Sequence, residues 1–353
     1  REPDHLYLNN GDGTFRDGIL EHFGHTSFYS MGADMADINH DSYPDLAVLD
    51  MVSQDHVRSK RMMASMSPEN FQEMVDIGYH HQYMFNMLHL NWGNGDFSNI
   101  AHLAGVAKTD WSWAPLFADF DNDGNTDLFV TNGIRRDVTD IDYKNYIEDR
   151  FKAGNPMSFD EVMKNWPAAE VANYAYHNDG DLQFSDQSKD WGLAEPVNSN
   201  GVAYVDLNND GALDLVTNNI DNVAHVYKNR TSEGYLQVSL QGPSKNPYGI
   251  GARVMMKSEK MDQLREQYFN RGFQSSVDPV LHFGLGDLQS IREVTIVWPD
   301  GKFQTLNNIE TNQKIAVKYS DANGKYERPQ PKQFFSQKNS RELGINFEHH
   351  ENE

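Results

Sequence analysis

The sequence predicts a mainly β protein, in which propeller-type blades with helical insertions are followed by a small β-rich module. Three observations support this fold class. A nine-residue acidic loop occurs three times, as DINHDSYPD from Asp37, DFDNDGNTD from Asp119 and DLNNDGALD from Asp206. Each loop is followed by a short run rich in Leu, Val, Phe and Thr, which is typical of a strand. After Asn229 the chain changes to longer alternating runs.

The acidic loops have the pattern of a site for a hard cation. Each loop places an oxygen-bearing side chain at positions 1, 3, 5 and 9. Calcium takes six to eight oxygen ligands, including carboxylates, amide side chains and main-chain carbonyls. A tight turn would direct side chains 1, 3 and 5 inward, with the carbonyl of position 7 and the carboxylate of position 9 completing the set. The sequence therefore predicts up to three Ca²⁺ sites.

The predicted ligands follow from this register. The side chains are Asp37, Asn39, Asp41 and Asp45 in the first loop, Asp119, Asp121, Asp123 and Asp127 in the second, and Asp206, Asn208, Asp210 and Asp214 in the third. The main-chain oxygens are those of Tyr43, Asn125 and Ala212. We expect the first site to bind more weakly, or with a distorted turn. It has Ser42 and Pro44 at positions 6 and 8, whereas the second and third loops have glycine at position 6.

A plain polar turn and an EF-hand are the alternatives to a strand-flanked metal loop. Asp, Asn and Gly are common in any β-turn, so a single loop of this kind is weak support for a metal site. Three copies in one register, each closed by Asp, favour the metal. An EF-hand loop ends in a Glu at position 12 and lies between helices. The strand-like flanks of these loops argue against it.

A second element recurs before each loop. The segments LYLNNGDGTF, LHLNWGNGDF and YAYHNDGDLQF each combine alternation, a Gly/Asp/Asn turn and an aromatic residue, which predicts a β-hairpin. Hairpin, strand, loop and strand together form a four-stranded unit like a propeller blade. Propellers have about four to eight blades. Because the chain begins inside a repeat, we expect further blades before residue 1 or in a partner chain.

The spacing between loops exceeds the length of a blade, so we predict helical insertions at about residues 52–86 and 134–173. One helix follows the N-cap Ser67 and has proline at its first position. A second is predicted from Asp140 to a C-terminal glycine, Gly154. Ser158 and Glu161 form a capping box for a third.

The predicted domains are a propeller region at 1–230, a β-rich module at 231–320 and a tail at 321–353. The module contains the strand-like runs YLQVSL, ARVMMKS, VTIVW and IAVKYS, and WPDGK is a predicted hairpin turn. Residues 270–287 lack a clear period and are expected to form a packed loop. The tail is polar and contains proline, so we expect a linker or a segment that depends on a partner or leads into a further propeller.

The amino-acid composition limits the partners, the chemistry and the location that the chain can have. The 353 residues carry a formal net charge of −22, which argues against nucleic acid and anionic membranes as partners. There is no cysteine, so thiol chemistry and disulfides are excluded. No apolar run is long enough to span a membrane. Because free calcium is scarce inside cells, we expect an extracellular or bacterial cell-surface location.

The motifs resemble two known families. The loops and NNGDGTF-type hairpins resemble FG-GAP/VCBS repeats, the blades of integrin-α-like propellers. GIGARV, GFQSS, LHFGLG and VTIVWPDG, between Tyr235 and Tyr319, resemble the ASPIC/UnbV module of the cartilage acidic protein family and its Bacteroidetes-type relatives. The resemblance implies a partial FG-GAP/VCBS β-propeller with an ASPIC/UnbV domain. It also implies calcium binding and a secreted or outer-membrane-associated protein.

The sequence favours a non-enzymatic scaffold. It has no nucleophile elbow and no phosphate-binding loop. The expected role is adhesion, or an accessory role in outer-membrane nutrient uptake, with other cell-surface or outer-membrane proteins and glycans as partners. The alternative is a calcium-dependent carbohydrate-active enzyme such as a propeller polysaccharide lyase. Tryptophans in or beside the insertions, among them Trp92, Trp111, Trp113 and Trp166, suggest a sugar-stacking platform, although Trp111 and Trp113 alternate as packed strand residues do.

Overall fold

The computed structural model describes residues 3–62, 67–168 and 171–327. The chain is mainly β and its larger sheets form a propeller-like arrangement. Across these described ranges, five sheets have three to five strands each, three within the repeats and two within the C-terminal module. The prediction of a mainly β, propeller-like fold with helical insertions is therefore confirmed.

The repeat region contains sixteen of the described strands. They are β1 Tyr7–Asn9, β2 Phe15–Asp17, β3 Thr26–Ser27, β4 Ala33–Ala36, β5 Asp45–Val48, β6 Met51–Val52, β7 Gln82–Tyr83, β8 Met87–Asn91, β9 Phe97–Asn99, β10 Asp110–Ala118, β11 Asp127–Asn132, β12 Tyr174–Gly180, β13 Gln183–Asp186, β14 Ser199–Val205, β15 Asp214–Asn219 and β16 His225–Tyr227. The three predicted hairpins are present as β1–β2, β8–β9 and β12–β13.

These strands build three blade-like sheets. The first has the order β4-β5-β8-β9, the second β10-β11-β12-β13 with β6 added beside β10, and the third β14-β15-β16. Neighbouring strands within each sheet are antiparallel. Each acidic loop joins the first two strands of its sheet. The chain thus repeats one strand–loop–strand unit three times.

Within the described residues, the α-helices lie in the repeat region, and their bounds are α1 Ile19–His22, α2 His56–Met62, α3 Pro68–Asp76, α4 Ile141–Lys152 and α5 Phe159–Asn165. A 3₁₀ turn, Tyr319–Asp321, lies in the C-terminal module. The three predicted helices are confirmed with their caps. Ser67 and Asp140 accept hydrogen bonds from the first turns of α3 and α4, and Ser158 forms a reciprocal capping box with Glu161. The short helices α1 and α2 were not predicted.

Apolar side chains between the blades hold the sheets together. Leu88, Phe117 and Val130 belong to a buried cluster shared by the first and second sheets. A second cluster, with Phe129 and Leu215, lies between the second and third sheets. Burying such side chains contributes roughly 1.5–3 kcal/mol each, so both clusters stabilise the packing of neighbouring blades.

Within the described residues, the C-terminal module contains two larger sheets that share a core of their own, and one two-stranded sheet. Its strands are β17 Gly234–Gln241, β18 Arg253–Lys257, β19 Asp262–Glu266, β20 Asn270–Arg271, β21 Ser275–Ser276, β22 Val280–Gly286, β23 Ser290–Val297, β24 Lys302–Glu310, β25 Gln313–Lys318 and β26 Gly324–Lys325. The sheet orders are β22-β17-β25 and β19-β18-β23-β24-β26. Trp298 and Phe283 lie in the core between them, and each is 1% exposed or less.

Two expectations for this region are corrected. Residues 270–287 do not form a packed loop, because six of the seven residues of β22 pair with β17. The strand has no visible period because five of those seven residues are buried. Gly324–Lys325, placed in the tail by the sequence, pairs with β24. The remainder of the predicted tail, 328–353, lies outside the described residues.

Candidate metal centre

Each acidic loop is the connection between the first two strands of one blade-like sheet, so all three loops lie at the same end of the sheets. They also contact one another. His40 Nε2 of the first loop lies 3.2 Å from Asn125 Oδ1 of the second, and the Thr126 hydroxyl donates to the Asp37 carbonyl at 3.3 Å. Asn122 Nδ2 of the second loop donates to the Gly211 carbonyl of the third at 3.0 Å. The loops therefore form one continuous row.

The carboxylate at position 1 closes each loop in the same way. One of its oxygens accepts a hydrogen bond from the backbone N–H of position 6, five residues further on. The three bonds are Ser42 to Asp37, Gly124 to Asp119 and Gly211 to Asp206, and each is 2.9 Å long. A charge-assisted bond of this kind orients the carboxylate. The other oxygen accepts from the N–H of position 5 in the first and third loops, at 3.2 Å in Asp37 and 3.1 Å in Asp206.

The aspartate at position 9 anchors each loop to the sheet. One oxygen accepts from the N–H of position 2, at 3.0 Å in Asp45, 2.9 Å in Asp127 and 3.0 Å in Asp214. The other oxygen accepts from the backbone N–H of an asparagine in the following hairpin. These asparagines are Asn91, Asn178 and Asn229, at 2.8, 3.0 and 2.8 Å.

The three hairpin asparagines were missed by the sequence reasoning. In each case the side-chain Nδ2 also donates to a carbonyl of the loop it supports, that of Pro44, Thr126 or Leu213. The signal that could have found them is the recurrence of Asn at one place in the hairpins LHLN, YAYHN and VYKN. Each blade thus fixes its loop from both the loop sequence and the next hairpin.

The first loop is not distorted. Position 4 is left-handed in all three loops, with φ of 62° at His40, 63° at Asn122 and 58° at Asn209. Position 6 is left-handed as well, and in the first loop Ser42 adopts φ of 67°. The expectation of an altered turn is therefore wrong. What remains is the cost of a non-glycine residue in this region, which is on the order of 1 kcal/mol.

The second loop brings its carboxylates closest together. Oxygens of Asp119, Asp121 and Asp127 lie within 4.8 Å of one another. Asp119 is 1% exposed, and its Oδ1 has no hydrogen-bond partner among the described residues. A buried carboxylate oxygen without a donor is costly unless a cation or an ordered water satisfies it. This oxygen, beside two further carboxylates, fits a metal ligand.

The first and third loops present a smaller negative charge. Each has asparagine at position 3, and its Nδ2 donates to the position 5 aspartate, at 3.0 Å from Asn39 to Asp41 and 2.6 Å from Asn208 to Asp210. Among the described residues, neither loop brings three carboxylates together within the distance found in the second. The second loop is consequently the strongest candidate for a divalent cation.

Burial opposes ionisation of these carboxyl groups. It raises the pKa of Asp45 to about 7, despite hydrogen bonds from Asn91 and Ile38 that act in the opposite direction. Burial also raises the pKa of Asp119 and Asp127, and the neighbouring loop carboxylates raise each pKa further, whereas the Arg265 guanidinium lowers the pKa of Asp119. A divalent cation would offset this cost by favouring the charged form.

The C-terminal module packs directly over the row of loops. Its contacts with the three loops are Arg253 Nη2 to the Ser42 carbonyl at 3.2 Å, His282 Nε2 to Asn122 Oδ1 at 2.7 Å, and Gln237 Nε2 to Asp206 Oδ2 at 2.8 Å. Beside the first loop, the buried Arg271 guanidinium binds both carboxylate oxygens of Asp34, at 3.0 and 3.1 Å. The candidate metal sites thus lie at the junction of repeats and module.

The structure gives little support to a tryptophan platform. Trp111 is 7% exposed and packs in a small cluster with Met51 and Met62. Trp166 donates its Nε1–H to the Asp137 carbonyl at 2.6 Å. Trp92, at the tip of the β8–β9 hairpin, is 57% exposed. Of the four tryptophans, Trp92 is exposed, Trp113 and Trp166 are half-buried and Trp111 is buried.

The fold and its loops define a propeller-like protein built from FG-GAP-like repeats with an ASPIC/UnbV domain on their C-terminal side. The FG-GAP-like repeat model matches residues 1–48 and 74–130, and the ASPIC and UnbV model matches residues 242–324. The third loop lies outside both matches, yet it repeats the hydrogen bonds of the first two.

Among curated proteins, the chain is similar to cartilage acidic protein 1, and this homology is weak. The chain is 27% identical over 319 residues to cartilage acidic protein 1 of Xenopus tropicalis, covering 87% of this chain and 40% of the relative. It is 26% identical over 280 residues to the protein of Mus musculus, covering 70% of this chain and 43% of the relative. The chain therefore spans about two fifths of the length of the curated relatives that it matches.

Proposed function

We propose that this chain is a calcium-stabilised extracellular scaffold that binds other macromolecules and does not catalyse a reaction. The observation that carries the proposal is the shared geometry of the three loops, together with Asp119 Oδ1 of the second, which is buried and has no hydrogen-bond partner among the described residues. Calcium would be held by the side chains at positions 1, 3, 5 and 9 and the carbonyl at position 7. The ion would supply positive charge and no redox chemistry.

The scaffold role follows from where the loops lie. The three loops contact one another in a row that runs across the blade-like sheets. The module covers this row through Arg253, His282 and Gln237. A cation that orders the loops would therefore stiffen the contact between repeats and module as well. Because a ligand that binds only the folded state stabilises that state, calcium would set the rigidity of the whole binding surface.

The location and partners are part of the proposal. Within the described residues, no helix is long and apolar enough to cross a lipid bilayer. The relatives are named as acidic proteins of cartilage, and this chain carries a net charge of −22. We propose a cell-surface setting, with outer-membrane or other surface proteins and glycans as partners, in adhesion or as an accessory subunit of nutrient uptake.

Titration of calcium into the whole chain by calorimetry, after removal of divalent ions, tests whether the loops bind the metal. We expect up to three bound ions, with one fewer in the Asp119→Asn variant. Glu259→Gln, an exposed acid outside the loops, is the matched control and should bind as the wild type does. Absence of calcium binding, or equal stoichiometry in wild type and Asp119→Asn, would refute the proposed ligand set.

A second experiment tests the scaffold against the lyase alternative. The calcium-loaded chain is incubated with a panel of acidic polysaccharides, and the absorbance of unsaturated sugar products is followed in the ultraviolet. A scaffold gives no increase and retains its partners in a pull-down from intact cells. A calcium-dependent rise in absorbance would establish an enzyme instead.

A further inference from the structure

The third blade-like sheet has an open edge where the other two have a further strand. Within the described residues it has the three strands β14-β15-β16, and β16 pairs only with β15. In the first two sheets the equivalent third strands, β8 and β12, also pair with a fourth, β9 or β13. Val226 of β16 is 61% exposed, whereas the equivalent Ala175 of β12 is 1% exposed. The outer side of β16 thus has the place of a fourth strand.

An apolar groove of about 680 Å³ lies beside this open edge. The apolar side chains that line it include Trp191, Leu193, Leu213, Leu215, Val226 and Tyr227. The N–H of Asn229 donates to Asp214 within the sheet at 2.8 Å, so strand alternation directs the N–H and C=O groups of Val226 and Lys228 outward. An edge strand with outward backbone groups beside an apolar groove is a template for an added strand.

The other repeats show what occupies this place. Opposite each hairpin asparagine lies a phenylalanine, and the pairs are Asn9 with Phe15, Asn91 with Phe97 and Asn178 with Phe184. The phenylalanine also contacts the preceding repeat, since Phe97 forms a bridge with Phe23, and the N–H of Phe184 donates to the Ala104 carbonyl at 3.1 Å. Across the described ranges, Asn229 has no strand residue opposite it.

The segment that begins at this phenylalanine recurs in the sequence and ends in a glycine. Its copies are FRDGILEHFG from Phe15, FSNIAHLAG from Phe97 and FSDQSKDWG from Phe184. A fourth copy, FSQKNSRELG, begins at Phe335, after the C-terminal module. The glycine follows the phenylalanine by nine, eight, eight and nine residues in the four copies, so the last copy keeps the spacing of the others. The chain therefore has one more copy of this segment than the described sheets use.

We propose that residues 335–344, which lie outside the described residues, form the fourth strand of the third blade, with Phe335 opposite Asn229 and against Trp191. The occupant of the groove is then this chain itself. The C-terminal module becomes an insertion between the third and fourth strands of one blade, joined to that blade at both of its ends. This inference concerns how the module is held and does not depend on the cation sites.

The connection is long enough for this closure. The described residues end at Glu327, and the eight residues from there to Phe335 span up to about 26–29 Å when extended. Pro329 and Pro331 restrict the connection to extended backbone. The strands β26 and β19 are opposite edges of one five-stranded sheet, so they lie about 19 Å apart at a strand spacing of about 4.8 Å. The connection is thus longer than the sheet is wide.

The far edge of that sheet lies next to the groove. Met261, directly before β19, packs against the second acidic loop, because an added Cβ on Gly124 would meet its sulfur. Asp121 of the same loop lines the groove beside β16. A tail that leaves β26 and crosses the module therefore arrives at the open edge of the third blade.

Engineered cysteines in the whole chain, which has no native cysteine, test this pairing. In the second blade His177 pairs with Ser185, and the equivalent pair here is Lys228 with Ser336. We expect the variant with Lys228→Cys and Ser336→Cys to form an intramolecular disulfide at least tenfold faster than a control with Lys228→Cys and Asn352→Cys. Equal rates would overturn the proposal. A disulfide that joins two chains would also overturn it, and would assign the groove to a second copy.

Amide hydrogen exchange provides a second readout without cysteines. The N–H of Val226 should exchange at least 100-fold more slowly than an unprotected amide in the wild type, and at least tenfold faster in Phe335→Ala than in the wild type. Phe347→Ala, in the same tail but outside the repeated segment, is the matched control and should leave the rate unchanged. Unchanged exchange in β8 shows that each variant stays folded. If Val226 is unprotected in the wild type, or exchanges equally in Phe335→Ala, the tail does not close the third blade.

Discussion

Gly284 offers a direct test of the contact between the module and the second acidic loop. It lies on β22, where an added Cβ would overlap Asp119 Oδ2 and lie 2.5 Å from Asn122 Cα and 2.7 Å from the Asn122 carbonyl carbon. Its φ is outside the left-handed region, so alanine suits the backbone and the clash is the only change. Gly284→Ala therefore probes a single packing contact.

The loss of stability in Gly284→Ala depends on which atoms must move to make room for the added methyl group. The obstacle is mostly backbone, on a strand of the module on one side and on the loop on the other, so no side chain can rotate away. Overpacking of this kind typically costs 1–3 kcal/mol, and we expect about 3 kcal/mol because both surfaces are rigid. Displacement of Asp119 should also weaken cation binding at the second loop.

Urea unfolding in saturating calcium and calcium calorimetry measure the two effects. Gly24→Ala is the matched control, since its Cβ would meet nothing within 4 Å and its φ is ordinary, and it should change stability by less than about 1 kcal/mol. If Gly284→Ala unfolds and binds calcium like the wild type, the module does not rest on the second loop in solution.

Three further predictions concern single residues. Asp34→Asn leaves the buried Arg271 guanidinium without its charge partner and should lower the free energy of unfolding by about 3–5 kcal/mol in urea titrations, while an unchanged value contradicts the ion pair. Burial raises the pKa of Asp50 to about 6, so the stabilisation from its bound proton is present below about pH 4 and lost as the pH rises towards 6. Thermal melts across that range should show a smaller fall of Tm with pH in Asp50→Asn than in the wild type, and an equal fall in both would contradict the raised pKa. Ser42→Gly removes the strain of a side chain at φ 67°, so it should raise the free energy of unfolding by up to about 1 kcal/mol and also raise calcium affinity at the first loop. A lower calcium affinity in calorimetry would contradict this prediction.

The parts of the structure that depend on local sequence were predictable. The three loops close through hydrogen bonds between residues two to seven positions apart, so their pattern alone predicts the turn. The helices after Ser67, Asp140 and Ser158 are fixed by capping bonds to residues three positions ahead. The hairpins follow from short turns. In each case the stabilising partners lie within one short window.

The parts that depend on distant residues were not predictable. The Asp34–Arg271 ion pair joins residues 237 positions apart, and no local pattern indicates it. The strand β22 was predicted as loop because it is buried on both faces, so it has no alternation. The approach of His177 to Asp121 requires that β12 lie beside the second loop, which is known only once the sheet order is known.

The most direct test of the account is thermal unfolding of the whole chain with a strong chelator and with excess calcium, accompanied by a count of bound ions. At calcium 100-fold above Kd each occupied loop adds about 2.7 kcal/mol. Three loops should then raise Tm by at least about 10 °C, with bound calcium lost on chelation and restored on reloading. An identical Tm in both conditions, with no ion bound to the loops, would contradict the proposal that cations hold the repeats and the module together.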